Sequence, residues 1–214
     1  MPLADAIDSA KGAGDIASGV ESLISKKRKL DNNSEDSGDS TDWKSLSNLI
    51  GVAAPKFHAP ALLPDGSFGD ISLESFHKKY VVLIFYSHDF DSKCSETLNS
   101  FSDRHTEFTS ENSELLFCST DSEYVHYNWV QMDRLDGGVV AIAVPILSDR
   151  SRMVSRYFGV LCENSGQALD GLFIIDKDCV IRSAIVNNSS FTWSVDEVLR
   201  LLRETKAVDE INKS

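Results

Sequence analysis

Tyr80-Val81-Val82-Leu83-Ile84-Phe85-Tyr86 is followed at once by Ser87-His88-Asp89-Phe90-Asp91-Ser92-Lys93, and then by Cys94-Ser95-Glu96-Thr97. An unbroken apolar run of strand length reads as a strand buried on both faces, which calls for covering layers on either side. The polar stretch ends that strand, and apolar spacing from about Cys94 to Phe108 predicts a helix after it. Cys94 thus stands where a helix begins. There a thiol faces unpaired backbone N–H groups and the positive end of the peptide dipole, both of which favour thiolate. Cys94 is a candidate nucleophile. The plainer alternative is a small buried hydrophobe, the commoner fate of an intracellular cysteine.

Outward from this unit the pattern keeps alternating. It predicts a strand at Glu114 to Ser119, a helix through Glu123 to Met132, and a Gly137-Gly138 break. A strand-like run ending at Pro145, a short helix around Arg152 to Phe158, and strands at Leu172 to Asp176 and Val180 to Val186 complete the series. Ser194 and Glu197 have the spacing of a capping box opening a last helix. Interleaved strands and helices mean an α/β sheet. The short Asp176-Lys177-Asp178-Cys179 link predicts a hairpin, which makes the sheet mixed. There is no internal repeat.

The chain has 214 residues, 42% of them apolar and 25% charged, enough for one folded domain with an appendage. Its 33 acids against 21 Lys and Arg give a formal charge of −12, which disfavours nucleic acid as a primary ligand. No run approaches the roughly 18 apolar residues of a membrane helix. Asp5, Asp8, Asp15 and Glu21 interrupt any signal-peptide core, so cytoplasm or nucleus is the expected compartment. Cys94, Cys118, Cys162 and Cys179 form no C-x-x-C pair, and the five histidines are scattered; no metal and no disulfide framework are expected. Of the histidines, only His88 lies in the loop before Cys94, where a surface role is the expectation and proton transfer the alternative.

Residues 1–50 lack aromatics before Trp43 and read as a largely disordered tail. Within it Lys26-Lys27-Arg28-Lys29 forms a basic block, followed by an acidic, Ser-rich linker at 31–42. Such a block resembles a nuclear-localisation signal or partner-binding element; a solvated charge run is the equal alternative. Residues 51–206 are then the domain and 207–214 a short C-terminal tail.

Further segments carry a family resemblance. Ala54-Pro55-Lys56-Phe57, Leu63-Pro64-Asp65-Gly66-Ser67-Phe68, Asp70-Ile71-Ser72-Leu73, Phe101-Ser102-Asp103-Arg104, Ser119-Thr120-Asp121-Ser122, Pro145-Ile146-Leu147-Ser148-Asp149 and Gly171-Leu172-Phe173-Ile174-Ile175-Asp176 occur in the order and spacing of the typical 2-Cys peroxiredoxins. The chain resembles that family over about residues 52–204. The resemblance implies a thioredoxin-like α/β fold, a mixed central sheet flanked by helices, and a peroxidatic role for Cys94 with no cofactor. It also implies homodimer pairing through the edge strand 180–187. Phe191-Thr192-Trp193, in place of the family's Val-Gly-Arg, is expected to expose aromatics at an interface.

The active-site run of the family reads Pro-x-x-x-Thr-x-x-Cys-Pro-Thr-Glu. Here Ser87 stands for the proline, Asp91 for the threonine and Thr97 for the glutamate, with Cys94 retained. Arg152 aligns with the arginine that stabilises the thiolate, whereas Asp170 replaces a second arginine. An anion about 4 Å from a thiolate costs roughly 4 kcal/mol at an effective dielectric of about 20, against about 0.3–1 kcal/mol returned by a helix terminus. Asp91 therefore either opposes the thiolate or serves as an N-cap accepting the Cys94 amide, and the cap is the favoured reading. Lys93 beside it is expected to be solvated. The family's resolving cysteine, in a Val-Cys-Pro segment past the last helix, has no counterpart in these residues. The expectation is a divergent peroxiredoxin reducing hydrogen peroxide or alkyl hydroperoxides through Cys94 and Arg152, in a 1-Cys manner with an external thiol reductant. The alternative is a catalytically degenerate scaffold or peroxide sensor acting through protein binding.

Overall fold

The computed structural model describes residues 49–187 and 192–211. The tail as far as residue 48, with its basic cluster 26–29 and linker 31–42, and Phe191 lie outside the described residues.

The central strand β3 (Tyr80–Phe85) is buried at every position, as its apolar run requires. Successive side chains point to opposite faces. Tyr80, Val82 and Ile84 therefore join one core, and Val81, Leu83 and Phe85 the other. The first core is closed by α1 (Ser92–Asp103), α2 (His105–Ser110), α3 (Glu123–Val130) and α5 (Val195–Ile211), through Leu98, Phe101, Phe108, Trp129, Val198 and Leu202. The second is closed by α4 (Met153–Tyr157) and its flank, with Phe158 packed against Phe57, Phe85 and Phe173.

Around β3 the sheet has seven strands in the order β2-β1-β5-β4-β3-β8-β9. These are β1 (His58–Leu62), β2 (Phe68–Ser72), β4 (Ser113–Ser119), β5 (Ile146–Ser148), β8 (Asp170–Ile175) and β9 (Ile181–Asn187). β3, β4 and β5 run parallel, and the remaining pairings are antiparallel. The sheet is mixed, as expected, with β8 and β9 joined by the anticipated hairpin. A separate two-stranded ribbon, β6 (Leu161–Cys162) and β7 (Gln167–Ala168), lies between α4 and β8.

Several elements differ from the pattern read in the sequence. The helix expected over Cys94 to Phe108 is broken at Arg104, whose amide returns to Phe101 three residues back. Phe101 and Phe108 still meet across the break, with ring centroids 5.8 Å apart. No strand ends at Pro145. The strand begins after it, because the backbone before it turns through a left-handed Ala141 and gives the Ala143 amide to Ser102 Oγ at 2.7 Å. The hairpin β1–β2 has no clear period in its sequence; it turns at Gly66, with φ +82°, where only glycine avoids strain.

At Ser194 only half of the capping box forms. Its Oγ accepts the Glu197 amide at 3.4 Å, while the Glu197 carboxylate turns to Arg200. α5 runs on to Ile211, so residues 207–211 are helix rather than tail. At the other end Leu49, 1% exposed, is already core, which places the edge of the folded body before residue 51. Trp193 is half-buried against the first core rather than presented to solvent.

Candidate active site

The loop Ser87–Asp91 leaves β3 and delivers the chain to α1 under tight polar control. Tyr86 donates its hydroxyl to Asp89 Oδ1 at 2.7 Å, and Asp89 Oδ2 lies 2.7 Å from His126 Nδ1. His126 Nε2 faces the Leu147 carbonyl at 3.3 Å, and the Asp89 amide donates to Asp121 Oδ2 at 2.8 Å. Tyr86, Asp89 and His126 are all buried, so each polar group needs these partners. The network ties the loop to α3, β4 and β5. Phe90 then turns through a left-handed backbone, its ring centroid 6.0 Å from that of Trp129. His88 is half-buried and donates Nδ1–H to the Asp89 carbonyl at 2.9 Å.

α1 starts as expected of Asp91 acting as a cap. Its Oδ1 accepts the amides of Lys93 at 2.9 Å and Cys94 at 3.0 Å. Burial acts to raise the Asp91 carboxyl, but the amides it accepts hold it below its ordinary value, so it is a carboxylate at neutral pH. Capping and opposition to the thiolate prove not to exclude each other. The Cys94 thiol is pushed up to about 11, first by burial and further by the carboxylates of Asp91 and Asp170. The Ser87 hydroxyl, with its Oγ 3.5 Å from Cys94 Sγ, and the His88 backbone act the other way. Cys94 is 6% exposed. Lys93 is exposed, as expected.

Helix α1 is also fastened further along. Ser95 Oγ and Asn99 Nδ2 both donate to the Gly138 carbonyl, at 2.9 and 3.1 Å. Gly138 has no room for a side chain, since a Cβ there would stand 2.1 Å from the Met132 carbonyl oxygen.

Arg152 stands at the start of α4. Its backbone is left-handed, with φ +60°, and its guanidinium lies over Gly166 in the β6–β7 turn, where an added Cβ would come within 2.6 Å of Cζ. The charges that lead in setting the Cys94 thiol are the carboxylates of Asp91 and Asp170. Cys94, Ser87, Asp91 and Asp170 are thus brought together.

All four cysteines are free. Cys118 is buried in β4, and burial raises its thiol well above the usual value. Cys179, left-handed in the β8–β9 turn, is raised by burial and by Asp176 and Asp178. Cys162 differs: the hydroxyl and amide of Ser165 lower its pKa. Among the described residues no cluster of side chains is arranged to hold a metal ion.

The sequence reading treated Ser87 only as a missing proline, and its contact with the thiol has no local signature. His126 stood among scattered histidines because its partner Asp89 lies 37 residues away.

Comparison with known proteins agrees with this geometry. Residues 50–184 match the AhpC/TSA family. The chain is 42% identical over 165 residues to a thioredoxin peroxidase of Echinococcus granulosus, covering 77% of this chain and 85% of that one. It is 43% identical over 163 residues to the chloroplastic 2-Cys peroxiredoxin BAS1 of Arabidopsis thaliana, covering 76% and 61% of the two chains. The reduced 2-Cys peroxiredoxin of Plasmodium vivax superposes with a TM-score of 0.74 at 34% identity, covering 76% of this chain and 84% of that one. The chain therefore belongs to the AhpC/TSA family, as a relative of the typical 2-Cys peroxiredoxins.

Proposed function

We propose that this protein reduces hydrogen peroxide or alkyl hydroperoxides with Cys94 as the attacking thiol. The observation that carries the reading is the position of Cys94 Sγ in the first turn of α1, at the end of the central strand, with a hydroxyl 3.5 Å away. The Cys94 thiolate attacks the terminal peroxide oxygen; the S–O bond forms as the O–O bond breaks. The alkoxide or hydroxide released takes a proton from solvent, leaving sulfenic acid. One external thiol then displaces water to give a mixed disulfide, and a second restores Cys94 and carries away the disulfide.

The thiolate is the nucleophile, so a thiol near 11 is mostly inactive at neutral pH. Burial and the carboxylates of Asp91 and Asp170 thus hold attack back at neutral pH. Pairing of two copies through the edge strand β9, and a cytoplasmic or nuclear location directed by the basic block 26–29, belong to the same proposal. So does a protein partner for the tail.

The test is peroxide consumption by the full chain with dithiothreitol as reductant, compared with Cys94→Ser. Turnover lost in the variant supports the reading. Equal consumption by both proteins removes it and leaves the scaffold or sensor.

A further inference from the structure

The family's hydroxyl at position 91 has become a carboxylate, and an anion cannot donate a hydrogen bond. Asp91 is moreover engaged by the amides of Lys93 and Cys94. Yet the sulfur still has a hydroxyl in contact. Ser87 is the hydroxyl in contact with Cys94 Sγ, at 3.5 Å, a normal distance for an O–H···S contact, while the Asp91 carboxylate, the other side chain paired with the thiol, can only accept from it. Ser87 directly follows Tyr86, whose hydroxyl is fixed to the buried Asp89, so its backbone is anchored on both sides.

We infer that Ser87 is a catalytic residue of this chain, donating its O–H to the Cys94 thiolate and so supplying the hydroxyl that position 91 lacks. The assignment rests on the reading of Cys94 as the attacking thiol. In the reaction Ser87 keeps its proton. It stabilises the anionic sulfur before attack, and peroxide supplies the oxygen and accepts the electron pair. A small residue at position 87 also leaves room for this hydroxyl, which proline could not provide.

The experiment uses the full chain carrying Cys162→Ser, so that labelling reports Cys94, and compares it with added Ser87→Ala or Ser87→Thr. Two rates are read by peptide mass spectrometry across pH 7–10: alkylation of Cys94 by iodoacetamide and its oxidation by hydrogen peroxide in the presence of dimedone. Ser87→Ala is expected to slow both by about tenfold at a fixed pH below the midpoint, the size of a hydrogen bond to a charged group. Ser87→Thr is expected to restore both to within about threefold, which a purely structural loss would not do. Alkylation equal in Ser87→Ala and its parent overturns the assignment, as does failure of threonine to rescue. Absence of Cys94 oxidation in the parent overturns the peroxidase reading itself, and with it the catalytic role, even where alkylation shows the hydrogen bond.

Discussion

Asp91 Oδ1 accepts the Cys94 amide at 3.0 Å while its charge raises the thiol of the same residue. One side chain therefore starts the helix that positions the nucleophile and suppresses its ionisation. The two effects separate by mutation. Asp91→Ala loses the cap and is expected to cost about 1 kcal/mol in denaturant unfolding. Asp91→Thr keeps an acceptor but removes the anion, so Cys94 alkylation at pH 7.4 is expected to rise about tenfold, equivalent to roughly 1.4 kcal/mol. An unchanged alkylation rate in Asp91→Thr would mean that burial alone sets the thiol.

The pH dependence of Cys94 follows with a definite sign. Its thiol lies near 11, above the working range, so each unit of pH raises the thiolate fraction about tenfold until the midpoint is approached. Logarithms of the peroxide rate plotted from pH 6 to 9 should rise with a slope of about one. Arg152→Met should leave that line where it is, because the guanidinium rests on Gly166. A plateau below pH 8 in the parent, abolished in the variant, would show that the guanidinium reaches the sulfur.

Cys162 should react with alkylating reagents before Cys94 does. Its thiol is lowered by Ser165 and it is half-exposed in the β6–β7 ribbon, whereas Cys94 is buried and raised. Limited iodoacetamide treatment at pH 7 followed by peptide mapping is expected to give Cys162 as the main adduct. Ser165→Ala should slow that labelling, since the hydroxyl is the largest contributor to the shift. Predominant labelling of Cys94 instead would contradict the electrostatics of both sites.

Gly138 tests how far α1 depends on its fastening. A methyl group there meets the Met132 carbonyl oxygen at 2.1 Å, and a backbone atom cannot step aside cheaply. Gly138→Ala is expected to lose about 1–3 kcal/mol of stability by overpacking, read from the denaturant midpoint at unchanged slope. Ser95→Ala, which removes one donor to the same carbonyl, should cost less, about 1 kcal/mol.

What could be read in the sequence was what is written locally. β3 announced itself because it is apolar at every position and carries a core on each face. The Asp91 cap is a three-residue relationship, so it too was visible. The β1–β2 hairpin was not, since its pairing is held by a turn and by β5 rather than by its own period. The helix break at Arg104 has no Gly or Pro to announce it, and there the guanidinium spans to Glu107 and to the distant Asp196. Sites depend still more on distant partners. The packing of the Arg152 guanidinium over Gly166, fourteen residues on, likewise has no local signature. Ser87 read as a loss because its sulfur contact exists only after the loop has turned.

The most direct measurement is the site of oxidation in the full chain exposed to a small excess of hydrogen peroxide with dimedone present, mapped by peptide mass spectrometry. The account predicts a sulfenic adduct at Cys94 that forms faster as pH rises and is absent in Cys94→Ser. An adduct confined to Cys162, or none on Cys94 at any pH from 6 to 9, would contradict it.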